Sequence, residues 1–192
     1  MLFRSDILSA ILYGMRTSLL AGTLSTLRAL AIGLLLGVGA AWFRGWAEAL
    51  IMRVADLQLS FPSILIALVL LALLGKGLDK IVLALIAVQW AYYARTARAA
   101  ALAEREKDYI SAARALGLTP ARVILRHLLP NCLPPLVVVA TVQIAAAISL
   151  EATLSFLGLG LPITEPSLGL LIANGYSFLL SGKYWKIGRA HV

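Results

Sequence analysis

Four long apolar stretches, separated by short polar or turn-rich segments, dominate the pattern of hydrophobic and polar positions. Taking ~20 mostly apolar residues as the length that crosses a bilayer, the pattern predicts spans over 18–42, 56–74, 81–100 and 136–156. Residues 6–17 read as a short lead-in to the first span. The segment 43–53 reads as a connection with Trp42, Arg44, Trp46 and Arg53 as interfacial anchors. Residues 75–80 are a tight turn carrying Lys76 and Lys80. Pro62 falls early in the second span, where its missing N–H matters little. Residues 157–185 are rich in turn formers, with Gly158, Gly160, Pro162, Pro166 and Gly169, and are expected on the outer face. The expected fold class is all-α, a polytopic transmembrane helix bundle.

The longest charge-rich stretch, 104–131, lies between the third and fourth spans. Tyr109, Ala112, Ala113 and Leu116 fall at i, i+3, i+4 and i+7, the spacing of one helical stripe. Asp108 precedes the stripe as an N-cap, and Gly117 follows it where a left-handed residue ends a helix. Thr119 and Pro120 then start a second helix, as cap and first helical residue. Pro130 closes the unit, and Leu133-Pro134-Pro135 is expected to break that second helix. A solvated loop helix and a helix built for a partner's close approach fit this pattern equally well.

The run Ser111-Ala-Ala-Arg-Ala-Leu-Gly117, followed by Ile124 and Leu129-Pro130-Asn131, resembles the "EAA" loop of binding-protein-dependent ABC importer permeases, with their MetI-like fold. The likeness is to the dipeptide/oligopeptide/nickel branch. Ser111 stands where the family has Glu, so no ionic role is inferred there, and the Ile-to-Leu-Pro spacing is slightly shifted. The resemblance implies that this loop (101–133) is a coupling helix docking in a groove of a cytoplasmic ATPase, with Tyr109, Ser111, Ala112, Ala113, Leu116, Gly117 and Pro130 as its coupling residues. It also matches Asp56 through Phe61-Pro62, and Glu151 followed by Ala152 to Gly158. Where relatives often have Pro-x-Trp-Gly, this chain has Pro166-Ser167-Leu168-Gly169, so no role of that Trp carries over. The resemblance covers 6–185 and implies four spans of an expected six. The implied partners are two cytoplasmic ATPase subunits, a second permease subunit and an extracytoplasmic substrate-binding protein. The implied location is the cytoplasmic (inner) membrane of a bacterium or archaeon, and the implied cargo is a peptide, or nickel or another small solute.

Composition agrees with a membrane protein: 61% of residues are hydrophobic and only 14% charged, against ~25% charged in soluble domains. The net charge of +8 does not indicate nucleic acid. Arg95, Arg98, Arg105, Lys107, Arg114, Arg122 and Arg126 gather near one loop, as the positive-inside rule expects of a cytoplasmic connection. That places the segment after the fourth span outside. Cys132 is the one cysteine, and with His127 and His191 it has no metal-ligand spacing. The chain contains no Gly-x-x-x-x-Gly-Lys-Ser/Thr phosphate loop, no His-Glu-x-x-His and no Gly-x-Ser-x-Gly. An enzyme is therefore disfavoured and no cofactor is expected. The rival class is a secondary transporter or channel whose basic loop is only an anchor; such proteins concentrate polar or broken-helix features near mid-membrane.

Two ionisable residues within spans are candidate intramembrane sites. Arg28 is expected to face the bundle interior or water, and Glu151 to serve a structural hydrogen-bonding role ahead of a pathway role. Gly33 and Gly37 form a GxxxG that either admits a neighbouring helix or is simply tolerated. The end segments 1–5 and 186–192 read as translated sequencing adapter, leaving His191, Arg189 and Lys186 without a role.

Overall fold

The structure is a computed structural model that describes residues 7–161 and 167–180. The end segments 1–5 and 186–192, with Pro162 and Pro166, lie outside the described residues. The chain is all-α, with no strand among the described residues. Its helices are α1 (Ile7–Phe43), α2 (Gly45–Leu59), α3 (Ser63–Leu74), α4 (Leu78–Arg105), α5 (Asp108–Ala115), α6 (Pro120–Val123), α7 (Leu129–Phe156) and α8 (Leu168–Leu180), and one π-helical turn (Ile124–Leu128) joins α6 to α7. Leu8–Phe43 and Pro120–Phe156 are each long and apolar enough to cross a membrane, and α2 with α3 qualifies only as a broken pair. The expected third span, 81–100, lies in α4, where Gln89, Arg95 and Arg98 dilute an otherwise apolar run.

These helices form two compact units. One is built from 7–25, 64–85, 144–161 and 167–180, the other from 26–63 and 86–143. In the first, Glu151 is fully buried and accepts hydrogen bonds from Ser18 Oγ (2.6 Å) and Ser155 Oγ (2.7 Å). Hydrocarbon offers a buried carboxyl no other donors, so these two hydroxyls fix how α1 and α7 meet here. The Leu168 amide approaches the same Ser18 oxygen at 3.4 Å, which ties the start of α8 to the cluster. Gly158, at φ 77°, ends α7 with backbone bonds from Gly158 to Ser155 and from Leu159 to Leu154.

In the second unit α1 lies directly on the backbone of α4. A Cβ at Gly37 would come within 2.7 Å of the Ala97 methyl and 2.9 Å of the Arg98 nitrogen, and one at Gly33 within 2.6 Å of the Trp90 carbonyl. The GxxxG is therefore a packing ridge, the first of the two alternatives its sequence leaves open. Thr26 donates to Gln89 Oε1 (3.1 Å) and Gln89 Nε2 donates to the Gln143 carbonyl (3.2 Å), a polar bridge linking α1, α4 and α7. Gln58 Nε2 donates to the carbonyls of Ala87 and Val88, and Trp90 Nε1 returns a bond to Gln58 Oε1.

The expected lead-in 6–17 is, from Ile7, part of α1, and the turn-rich 157–185 contains α8; three further boundaries also differ from expectation. The second span, 56–74, is not one helix: it stops at Leu59 and restarts at Ser63. Pro62 disfavours helical geometry at Phe61, and the Ser60 hydroxyl and amide both bond back to Asp56 O, closing α2. The expected connection 43–53 is instead mostly helical, as the first part of α2. Pro130, Pro134 and Pro135 do not end the second loop helix; α6 runs through the π-turn into α7 with all three prolines inside. A proline ring clashes with the carbonyl four residues back, and the wider π-turn just ahead of Pro130 relaxes that geometry.

Gly37→Leu should destabilise the protein by ~1–3 kcal/mol through overpacking, read as the midpoint of SDS-induced unfolding. Gly39→Ala, whose Cβ meets nothing within 4 Å, should be neutral or gain ~0.5–1 kcal/mol.

Candidate functional site at the loop between α4 and α7

The loop begins with α5, an eight-residue helix. Lys107 is its N-cap residue, in extended conformation and with no side-chain capping bond; Asp108, expected as the cap, is the first helical residue. Its carboxylate is favourable there because it faces the positive end of the helix dipole. The C-terminus closes as a Schellman motif. Gly117 N–H donates to Arg114 O (2.9 Å), Leu118 N–H donates to Ala113 O (3.2 Å), and Gly117 holds φ 73°. Thr119 and Pro120 start α6 as the sequence indicates, although the Thr119 side chain makes no capping bond.

The expected stripe divides in two. Ala113 is only 5% exposed and packs with Ile110, Val123, Leu118 and Trp42 in a small cluster of the chain's own. Ala113 is therefore an internal contact, sharing its packed face of the helix with Ile110. Tyr109, Ser111, Ala112, Leu116 and Gly117 are exposed, Leu116 at 81%. Pro130 is exposed in the first turn of α7, away from the end of α5 in sequence and not a terminator.

Two groups fasten α5. Glu104, near the end of α4, accepts from Lys107 Nζ (2.6 Å) and from the Tyr109 hydroxyl (2.5 Å). The Lys107 bond first, and the Tyr109 bond second, lower the Glu104 pKa from its ordinary 4.5. The Tyr109 phenol is pushed up to about 12 by desolvation and by that carboxylate, so it remains a donor at neutral pH. The second fastening is Trp42, in the last turn of α1. The Arg114 guanidinium of α5 lies 4.7 Å from its ring centroid and that of Arg105 lies at 5.6 Å, both within cation–π range. Arg105 Nη1 also donates to the carbonyls of Ala41 (2.7 Å) and Trp42 (3.1 Å), two of the free acceptors at the C-terminus of α1. Burial lowers the Arg105 pKa, and the like charges of Arg114 and Arg44 act in the same sense.

Trp42, Glu104, Arg105 and Ile110 are the members of this site that sequence reading did not single out. Their signals were weak: Trp42 reads as an interfacial anchor, and Arg105 as one of many loop cations. Beyond the loop, Arg28 is exposed on α1 and has no hydrogen-bond or ion-pair partner among the described residues, so it does not turn into the chain's own interior. Glu151 lies in the other compact unit, within its hydroxyl cluster. No group of three potential metal ligands occurs among the described residues.

Depression of the Glu104 pKa stabilises α5 above the carboxylate's unfolded value, and this contribution is lost as pH falls through the lowered value. Amide protection of 108–116, corrected for intrinsic exchange, should be flat from pH 8 to 6 and fall in the acid range, and Glu104→Gln should remove that dependence. In the same measurement Ala113→Trp should cost the helix ~1–3 kcal/mol of protection by overpacking, while Ala112→Trp should leave it protected.

Residues 30–184 match the family described as binding-protein-dependent transport system inner membrane component. A Brucella suis protein named as a permease of a peptide transport system is 42% identical over 176 residues, covering 92% of this chain. The dipeptide transport system permease protein DppC of Alkalihalophilus pseudofirmus is 37% identical over 182 residues, covering 95%. The chain spans 59% and 60% of the length of these two relatives. A chain of the MetNI methionine ABC transporter, solved in inward facing conformations, superposes with a TM-score of 0.70 at 21% identity, covering 96% of this chain and 97% of that one, a likeness of fold. By the extent of these matches, the chain belongs to the family of inner-membrane components of binding-protein-dependent transport systems.

Proposed function

We propose that the chain is a permease subunit of an ABC importer, forming half of a translocation pathway for peptides and receiving ATP-driven movement through α5. The observation that carries this reading is the exposed face of α5. Leu116 is 81% exposed beside Ala112 and Ser111, on a helix whose other face is packed internally by Ile110 and Ala113. A large apolar side chain flanked by small ones, on a short helix held firmly from behind, suits insertion into a partner's groove. Covering Leu116 would contribute ~1.5–3 kcal/mol, or roughly 10–150-fold in affinity. Ala112 and Ser111 would set how closely the partner's backbone approaches.

The partners of this reading are cytoplasmic ATPase subunits, a second permease subunit and an extracytoplasmic substrate-binding protein. Hydrolysis belongs to the ATPases, because this sequence has no phosphate loop. Transport then proceeds by alternating access: closure of the ATPases moves α5 and biases the spans between inward- and outward-open states. Peptide is the proposed cargo because the relatives named above are peptide and dipeptide permeases. Arg28, unpartnered on α1, is proposed to face the second permease subunit or the pathway, since an arginine left in lipid costs ~2.5–3.5 kcal/mol on insertion scales. Glu151, with both oxygens engaged, is proposed as a structural group.

The test uses the assembled transporter. Leu116→Asp should leave the permease in the membrane but weaken copurification of the ATPases by ~10-fold or more. Asn174→Ala, exposed on α8, should keep both association and transport. Wild-type ATPase association by Leu116→Asp and Ala112→Trp together would overturn the docking role of α5.

A further inference from the structure

We infer that Trp42 is a positioning residue that carries displacement of α5 into α1 and α4; this rests on the reading of α5 as the ATPase-docking helix. Four observations converge on its side chain. Its ring takes the Arg114 guanidinium of α5 at 4.7 Å and the Arg105 guanidinium of α4 at 5.6 Å. Arg105 in turn holds the carbonyls of Ala41 and Trp42, so the end of α4 is hydrogen-bonded to the end of α1 beneath the indole. Trp42 also packs against two apolar clusters of this unit, the loop cluster of Ile110, Ala113 and Val123 and the larger core containing Val38, Tyr93, Ala97 and Leu128. Immediately above it, Gly37 brings α1 into backbone contact with α4 at Ala94, Ala97 and Arg98.

The physical consequence follows from stiffness. Close-packed interiors transmit displacement because no free volume absorbs it, and α1 and α4 are close-packed from Gly33 to Ala41. Between α5 and that pair, by contrast, the covalent route is one short turn, Arg105 to Lys107, from the end of α4. The indole fills this gap. It offers Arg114 an attractive face and packs against the cluster that holds Ile110 and Ala113 of the same helix, so movement of α5 bears on the ring. Arg44, two residues on, holds φ 55° and ψ −168°, a region populated almost only by glycine. The chain therefore accepts strain at the corner where α1 ends and α2 begins. Loss of the indole should leave α5 folded, since its Schellman turn and Glu104 tether do not involve Trp42, but should let it move without moving α1.

The experiment compares Trp42→Leu with Trp42→Phe in the assembled transporter reconstituted in proteoliposomes. Trp42→Leu keeps an apolar side chain but has no π face; Trp42→Phe keeps one. With Trp42→Leu, ATPase copurification should stay within about 2-fold while transport per ATP hydrolysed falls ~5–30-fold. Trp42→Phe should restore most of it. Transport per ATP at the wild-type level in Trp42→Leu overturns the inference, and so does loss of ATPase copurification, which would make Trp42 a part of the docking structure. Leu116→Asp separates the two proposals: if it too leaves association intact, the docking reading fails and not the relay alone. Should Trp42→Leu fail to accumulate, hydrogen exchange on the wild-type transporter decides. Nucleotide binding should change protection in 38–43 together with 108–116, and a change confined to 108–116 overturns the relay.

Discussion

Close approach between α1 and its neighbours is the constraint on which the structure depends. Lipid supplies no hydrophobic force between helices, so their association rests on packing and on hydrogen bonds made inside the protein. α1 answers this with one face of small or hydroxyl-bearing residues. Ser18 and Gly22 meet α7 in one compact unit; Thr26, Ala29, Gly33 and Gly37 face inward in the other. A Cβ at Gly22 would come within 2.6 Å of the Ile148 side chain, so the packing is tight in each unit separately. The hydroxyls then direct what the glycines permit, Ser18 toward Glu151 and Thr26 toward Gln89.

This arrangement explains why a helix with so many polar atoms can sit in a membrane protein. The polar groups are spent on one another: a carboxyl on two hydroxyls, a carboxamide on a hydroxyl and a backbone carbonyl, Gln58 on two carbonyls of α4. The buried Tyr93 hydroxyl is an exception, with no hydrogen-bond partner among the described residues. At the ends of the spans the logic changes to charge. Arg98 pairs with Glu48 and Arg95 with Asp56, fastening α4 to α2. The exposed Arg95–Asp56 pair contributes little, ~0–1 kcal/mol, so it orients helices that the Gln58 bonds already hold.

Much of this was legible in the sequence, and the omissions have physical causes. Apolar run length gave the helical class, and Gly117, Thr119 and Pro120 marked the loop's turn because each has a backbone reason to sit there. The glycine pair at 33 and 37 had two readings because spacing alone cannot say what lies opposite. Proline misled in both directions. Pro62 stands where a missing N–H matters little yet follows a true break, while Pro130, Pro134 and Pro135 carry the mark of helix breakers yet lie within a helix. A proline's effect depends on whether the preceding turn can widen, and a π-turn leaves no simple mark in sequence. The α5 stripe divides for a different reason. In eight residues a stripe and its neighbour differ by one position, so Ile110 or Tyr109 could equally accompany Ala113. Tertiary contact with Trp42 and Val123 made the choice.

The two attachments of the loop are mechanically unlike, and this difference shapes how it can act. Its second half is α6, which passes without a break through the π-turn into α7. Leu128, Cys132 and Leu136, spaced four apart on that continuous helix, enter the same core as Tyr93 and Val38. Displacement of α6 is thus displacement of α7, with no joint between. Its first half, α5, is separated from α6 by a glycine turn and from α4 by two residues, so side chains and not backbone must tie it down. That is why the fastenings cluster there: Glu104 with Lys107 and Tyr109, Trp42 with Arg114. A helix fixed by side chains moves together with the groups that hold it, so reorientation of α5 against a partner bears on Trp42 and, through it, on the end of α1. The loop therefore combines one stiff limb with one adjustable limb, and the adjustable limb is the one that presents Leu116 outward.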